Sequence, residues 1–260
     1  MSPGVSGPMA KDGGGCKRCG RLARPRPPGY GAAMTKPIIV FDLDGTLVET
    51  APDLLDSLNH CLELAKLPQV DEVQLRRYVG MGGKVMIERA FAAQGRPLAE
   101  DHLAELLVAF LEHYTDNIPG RSLFFPGVDR ALDRFESAGY LMAVCTNKYE
   151  SLSTKLLEAL GVAHRFGAIC GQDTFDFRKP DPRHLVETIR LAGGDPERAV
   201  MVGDSKTDID TAIAAGIPVV AVDFGYTDVH VRELGPSRVI SHFDELTPEM
   251  ARELIDAVAG

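Results

Sequence analysis

Asp42 and Asp44 stand two residues apart, directly before Gly45 and Thr46 and directly after the apolar run Ile38-Ile39-Val40-Phe41. Such a run, mostly β-branched, predicts a buried strand. Two acids at its end predict a polar site, because ionised carboxylates are too costly to leave unpaired in a core. In an open α/β sheet, ligands bind just beyond the carboxyl ends of the strands. A calcium loop opens with a similar pattern, but its sixth position requires Gly and here, counting from Asp42, that position is Leu47. Further polar groups follow: Thr146-Asn147 after Ala143-Val144-Cys145, Lys179 within Arg178-Lys179-Pro180-Asp181-Pro182, and Gly203-Asp204 with Asp208 after Ala199-Val200-Met201-Val202. Gathered in one place, Asp42, Asp44, Asp204 and Asp208 would repel one another by about 4 kcal/mol per close contact at an effective dielectric near 20. A cation is required, and hard carboxylate oxygens with several waters suit Mg2+.

The elements that must position these groups can be read from periodicity. The first strand is predicted over 37–44. From Pro52, which suits a first helical turn, Leu54, Leu55, Leu58, Cys61, Leu62 and Ala65 share one helical face. Helices are predicted at 71–79, 83–94 and 98–114, with no strand before Tyr140. Roughly a hundred residues therefore separate Asp42 from Thr146, where a plain crossover needs about 30. The excess reads as an all-helical insertion over 49–120. After it come a helix at 128–137, a strand at 140–145, a helix at 150–160, a strand at 166–170, a helix at 183–192, a strand at 199–202, a helix at 208–215 and a strand at 218–222. This alternation predicts an α/β fold, a Rossmann-like parallel sheet covered on both faces. Its core domain is assigned to 34–48 and 121–260, with the helical cap domain at 49–120.

Composition narrows the classes further. The 260 residues are 45% hydrophobic and 25% charged with a net charge of -9, which opposes an electrostatic nucleic-acid binder. No apolar run is long enough to cross a membrane. Five scattered cysteines form no disulfide framework, so a cytoplasmic setting is expected. Cys16-Lys17-Arg18-Cys19 is half a zinc site without a second pair. Residues 1–33 hold eight Gly, five Pro and six Lys or Arg against one acid, without periodicity. They are expected to be a disordered N-terminal extension, with Met34 as the natural start.

The ordered set Asp42-x-Asp44-Gly45-Thr46, Thr146, Lys179 and Gly203-Asp204-x-x-x-Asp208 resembles, across residues 37 to about 232, the four motifs of the haloacid dehalogenase-like hydrolases. The resemblance implies a magnesium-dependent phosphatase acting through an aspartyl-phosphate. It makes Asp42 the nucleophile and Asp44 the general acid and base. Thr146, Asn147 and Lys179 become the phosphate-binding groups. Mg2+ is implied on the carboxylates of Asp42 and Asp204 and the backbone carbonyl of Asp44, with Asp208 orienting that shell. Dehalogenases and phosphonate-cleaving relatives lack the second Asp, so ester hydrolysis is implied, since an alkoxide leaving group needs a proton donor. An insertion directly after the first motif resembles the family's first class of cap. Tyr78-Val79-Gly80-Met81-Gly82-Gly83-Lys84 resembles the substrate loop of bacterial phosphoglycolate phosphatases, as does Gly225-Tyr226-Thr227. The glycine run equally fits a plain inter-helix turn, and Lys84 either meets a substrate carboxylate or is solvated. A small phosphorylated metabolite is the expected partner of a monomer or homodimer. Sugar-phosphate phosphatase, pyrophosphatase, phosphomutase and a catalytically silent binding protein are the competing readings.

Overall fold

The computed structural model describes residues 36–71, 79, 82–227 and 229–259. The expected N-terminal extension, most of the expected helix at 71–79, and Tyr78, Gly80 and Met81 of the glycine-rich loop lie outside the described residues.

In chain order the elements are β1 (Ile38–Phe41), β2 (Val48–Glu49), α1 (Ala51–Leu64), α2 (Gly83–Ala93), α3 (Glu100–Asn117), β3 (Leu123–Phe124), α4 (Val128–Ser137) and β4 (Leu141–Cys145). They continue with α5 (Glu150–Ala159), β5 (Ala168–Cys170), α6 (Pro182–Leu191), β6 (Ala199–Gly203), α7 (Lys206–Ala215), β7 (Val219–Val222), β8 (Arg238–Ile240) and α8 (Pro248–Ala259). Six strands form one sheet in the order β5-β4-β1-β6-β7-β8, parallel at every pairing. β1 is central and buried on both sides, as its unbroken apolar run requires. Alternate residues serve two cores. Ile39, Phe41, Val144, Val202 and Val222 pack with α4, α5 and α8, while Ile38, Val40, Ala143, Met201 and Ala221 pack with α6 and α7.

A third apolar cluster belongs to the helical group α1, α2 and α3. It is built from Leu54, Leu58, Cys61, Leu62, Met86, Ile87, Phe91, Leu106, Phe110 and Tyr114, and it meets the sheet domain through Leu152 and Tyr226. The chain leaves for this group through β2 and returns through β3, and these two strands pair antiparallel, Val48 with Phe124 and Glu49 with Leu123. Asp53 holds the return crossing. Its carboxylate accepts hydrogen bonds from the Arg121 amide at 2.7 Å, the Ser122 amide at 2.9 Å and the Ser122 hydroxyl at 2.5 Å.

Several boundaries shift by one to three residues from the sequence reading, the helix expected at 98–114 being Glu100–Asn117, and three have a local cause. β1 stops at Phe41 rather than 44, because the chain turns at Leu43, whose carbonyl accepts from the Thr46 and Leu47 amides, and Asp44 makes only an isolated bridge to Val48. The strand expected from 166 begins at Ala168, after a short 3₁₀ turn at Ala163–Arg165. α7 starts at Lys206 rather than 208 because Ser205 and Asp208 form a capping box. The β2–β3 ribbon, β8 and α8 were not foreseen.

Candidate active site

β1, β4 and β6 lie side by side in register, with Phe41 paired to Val144 and to Val202. Their next residues therefore emerge together. Asp42 follows β1, Thr146 follows β4 and Asp204 follows β6. The chain crosses from β5 back over β1 to β6, so this is the point at which the strand order reverses, where α/β sheets bind ligands. Lys179 arrives from the loop before α6.

Asp42, Asp204 and Asp208 are all buried, and one oxygen from each lies within 4.8 Å of the others. Lys179 stands beside them, its Nζ 2.9 Å from Asp42 Oδ1 and 2.5 Å from Asp208 Oδ1. The other oxygen of Asp208 accepts from the Ser205 amide at 3.1 Å and the Ser205 hydroxyl at 2.6 Å. Both Asp208 oxygens are thus already engaged. Asp204 accepts from the Thr46 hydroxyl at 3.0 Å and from the Tyr226 amide at 2.7 Å. The fit around it is close. Gly45 has φ +84°, and a Cβ there would stand 2.6 Å from Asp204 Oδ2; a Cβ on Gly225 would stand 2.2 Å from Asp204 Cβ. Thr146 accepts from the Lys148 amide at 3.2 Å, which leaves its hydroxyl proton available to a ligand. Asn147 donates from its side chain to the Lys179 carbonyl at 2.9 Å, tying the two loops together.

The electrostatics show what is missing. Burial pushes the Asp42 carboxyl up to about 6; Lys179 pulls it down, and Asp208 pushes it up again. Asp204 is held well above the ordinary carboxylate range by burial, then by Asp208 and Asp42. Burial disfavours the charge on Lys179, but Asp208 and Asp42 outweigh it and keep the ammonium protonated. Asp42 Oδ1 is buried and, despite the nearby Lys179, receives no aligned hydrogen bond. Crowded, oxygen-only and short of positive charge, this donor set fits Mg2+.

A cavity of about 680 Å³ opens from these carboxylates toward the helical group. Gly82, Gly83 and Lys84 line it. Lys84 is exposed and 4.0 Å from Glu88, one turn along the same helix. Lys148 was missed as a site residue although it lies two positions beyond Thr146. Its buried Nζ is 3.1 and 3.2 Å from the two oxygens of Asp44 and lies 4.3 Å from the centre of the Tyr114 ring, which belongs to α3. Position on the loop after β4 was the available signal for Lys148. Tyr114 carried none, because it reads as one more apolar position on a helix. With Lys148 beside Asp44 and Lys179 beside Asp42, the site holds two lysines.

A parallel sheet with paired aspartates at the end of its central strand, and a lysine and further aspartates at neighbouring ends, defines a hydrolase of the haloacid dehalogenase type. The family model of the haloacid dehalogenase-like hydrolases matches residues 39–222, and the chain belongs to that family. It is 69% identical over 224 residues to the phosphoglycolate phosphatase of Mesorhizobium japonicum, covering 86% of this chain and 99% of that one. It is 48% identical to the phosphoglycolate phosphatase of Agrobacterium fabrum, covering 86% and 96%. Among solved structures, it resembles a predicted phosphoglycolate phosphatase from Haemophilus somnus with a TM-score of 0.76 at 30% identity, covering 81% of this chain and 96% of that one.

Proposed function

We propose that this enzyme hydrolyses 2-phosphoglycolate to glycolate and phosphate in the cytoplasm, with Mg2+ as cofactor. The observation that carries this reading is the convergence of Asp42, Asp44, Thr146, Lys179 and Asp204 on the lining of one cavity. The names of the relatives supply the substrate. In this reading, residues 34–48 and 121–260 are the catalytic core and 49–120 the cap, and the β2–β3 ribbon with Asp53 joins them.

Asp42 attacks the phosphorus in line and becomes the aspartyl-phosphate. Thr146, Asn147 and Lys179 hold the phosphoryl oxygens and balance the charge that builds on them. Asp44 gives its proton to the departing ester oxygen, then takes one from the water that hydrolyses the intermediate. The carboxylates of Asp42 and Asp204 and the Asp44 carbonyl would hold Mg2+, which supplies charge neutralisation where the phosphate dianion enters. Asp208, with both oxygens occupied by Lys179 and Ser205, positions Lys179. Gly82, Gly83 and Lys84 line the cap side of the cavity, where Lys84, facing Glu88, adds positive charge to the rim.

The test is phosphate release with Mg2+ across phosphoglycolate, sugar phosphates, nucleotides and pyrophosphate. A preference for phosphoglycolate, abolished in Asp42→Asn with deamidation excluded, is the expected result. A flat profile removes the substrate assignment, and turnover retained by Asp42→Asn removes the mechanism.

A further inference from the structure

Four cationic side chains besides Lys179 line the cavity: Lys84, Lys148, Arg178 and Lys206. Three are exposed on the rim with partners of their own. Lys84 faces Glu88, Lys206 is paired with Asp210, and Arg178 donates to Gln172 at 2.8 Å. Lys148 differs. Its side chain is 6% exposed, and its ammonium is held from two sides, by both oxygens of Asp44 and by the face of Tyr114. Tyr114 Oη is buried and has no hydrogen-bond partner among the described residues. A buried ammonium carries three donors and is costly to bury without acceptors.

The two lysines divide the site. Lys179 lies between Asp42 and Asp208, on the side of the nucleophile. Lys148 lies against Asp44, on the side of the leaving group. Whatever touches Asp44 lies close to the ester oxygen that Asp44 must protonate. In an O-phosphorylated 2-hydroxy acid, the carboxylate carbon is the second atom from that ester oxygen. The ammonium that contacts Asp44 is therefore within reach of this carboxylate, whereas a rim cation is not held there.

We infer that Lys148 is the specificity-determining residue of the site: held between Asp44 and Tyr114, it receives the substrate carboxylate and selects O-phosphorylated 2-hydroxy acids over phosphomonoesters lacking that group. This rests on the phosphatase reading above and adds the residue that recognises the leaving group. Tyr114 places the cap against the same ammonium, so the contact forms only where cap and core meet.

The experiment compares kcat/KM for phosphoglycolate with that for 2-hydroxyethyl phosphate, which keeps the size of the leaving group and lacks the carboxylate. Both are measured with Mg2+ in wild type, Lys148→Gln and Lys148→Arg, with thermal melting as a check on folding. Wild type should prefer phosphoglycolate. Lys148→Gln should lower that preference about thirtyfold or more, mainly through KM, because a site built around a charged partner loses most when the partner is removed. Lys148→Arg keeps a cation beside Asp44 and so protects the fold. It should raise KM severalfold for phosphoglycolate and less for 2-hydroxyethyl phosphate. An equal loss on both substrates in both variants would overturn the inference and reduce Lys148 to a partner of Asp44. A wild type that turns over both esters without preference would remove the substrate assignment and the inference together. A wild type that hydrolyses no phosphomonoester would remove the proposed function itself.

Discussion

Asp204 shows how much one carboxylate depends on its surroundings. It is buried among other acids, yet Thr46 and the Tyr226 amide occupy one lone pair on each of its oxygens and aim the rest. Groups that hold a metal ligand in this way affect metal affinity about 10–100-fold. Thr46→Val is therefore expected to raise the Mg2+ concentration needed for half-maximal activity by about tenfold while sparing the fold, as a magnesium titration of the initial rate will show. A titration curve superimposable on that of wild type would make the Thr46 contact incidental.

At the scale of elements, the two crossings between helical group and sheet are tied by different means. The outgoing strand is held by Tyr226, whose hydroxyl accepts from the Thr50 and Ala51 amides at 2.8 and 3.0 Å and donates to Glu49 at 2.5 Å. Since the Tyr226 amide binds Asp204, one residue links the carboxylate site to the start of α1. The return crossing is held by Asp53, and Asp53→Ala strands the buried Ser122 amide and hydroxyl and the half-buried Arg121 amide. That change is expected to cost about 2–4 kcal/mol, measured by denaturant unfolding. A loss within about 0.5 kcal/mol, typical of surface substitutions, would show that β2–β3 pairing alone carries the crossing. Tyr226→Phe keeps the amide contact to Asp204 but leaves the Thr50 and Ala51 amides without that acceptor, so it should likewise cost about 2–4 kcal/mol in the same unfolding experiment.

For the whole molecule, the excess of buried carboxylate predicts that a bound divalent cation stabilises the fold. The site gathers four aspartates around two lysines, and a divalent ion balances the formal charge. Mg2+ at a hundred times its Kd should stabilise the protein by about 2.7 kcal/mol, read as a rise in Tm that a chelator reverses. The pH dependence has a definite sign. A carboxyl whose folded value is raised, as Asp42 is to about 6, favours folding while protonated and opposes it once pH climbs from the unfolded value through the folded one. The ion must displace those protons. The Tm increment from Mg2+ should therefore be larger at pH 7.5 than at pH 5, and an equal increment at both would place the ion away from Asp42.

The sequence by itself determined what is local and periodic: the buried β1 run, the alternation of strands and helices after residue 140, and the acids, threonine and lysine at their ends. Those signals are strong because burial on both faces leaves a continuous apolar run and a helix must show its stripe. The short elements were not legible. β2 and β3 have two residues each and β8 three, too few to display a period, and each exists because a distant strand supplies its hydrogen bonds. The same holds within the site. Asp42 could be found from its neighbours, but the meeting of Lys148 with Asp44 and Tyr114 joins three elements far apart in the chain. Only the tertiary structure decided that contact, because a lysine two residues past a strand is solvated by default and becomes a buried ion-pair partner only when a carboxylate and a ring close over it.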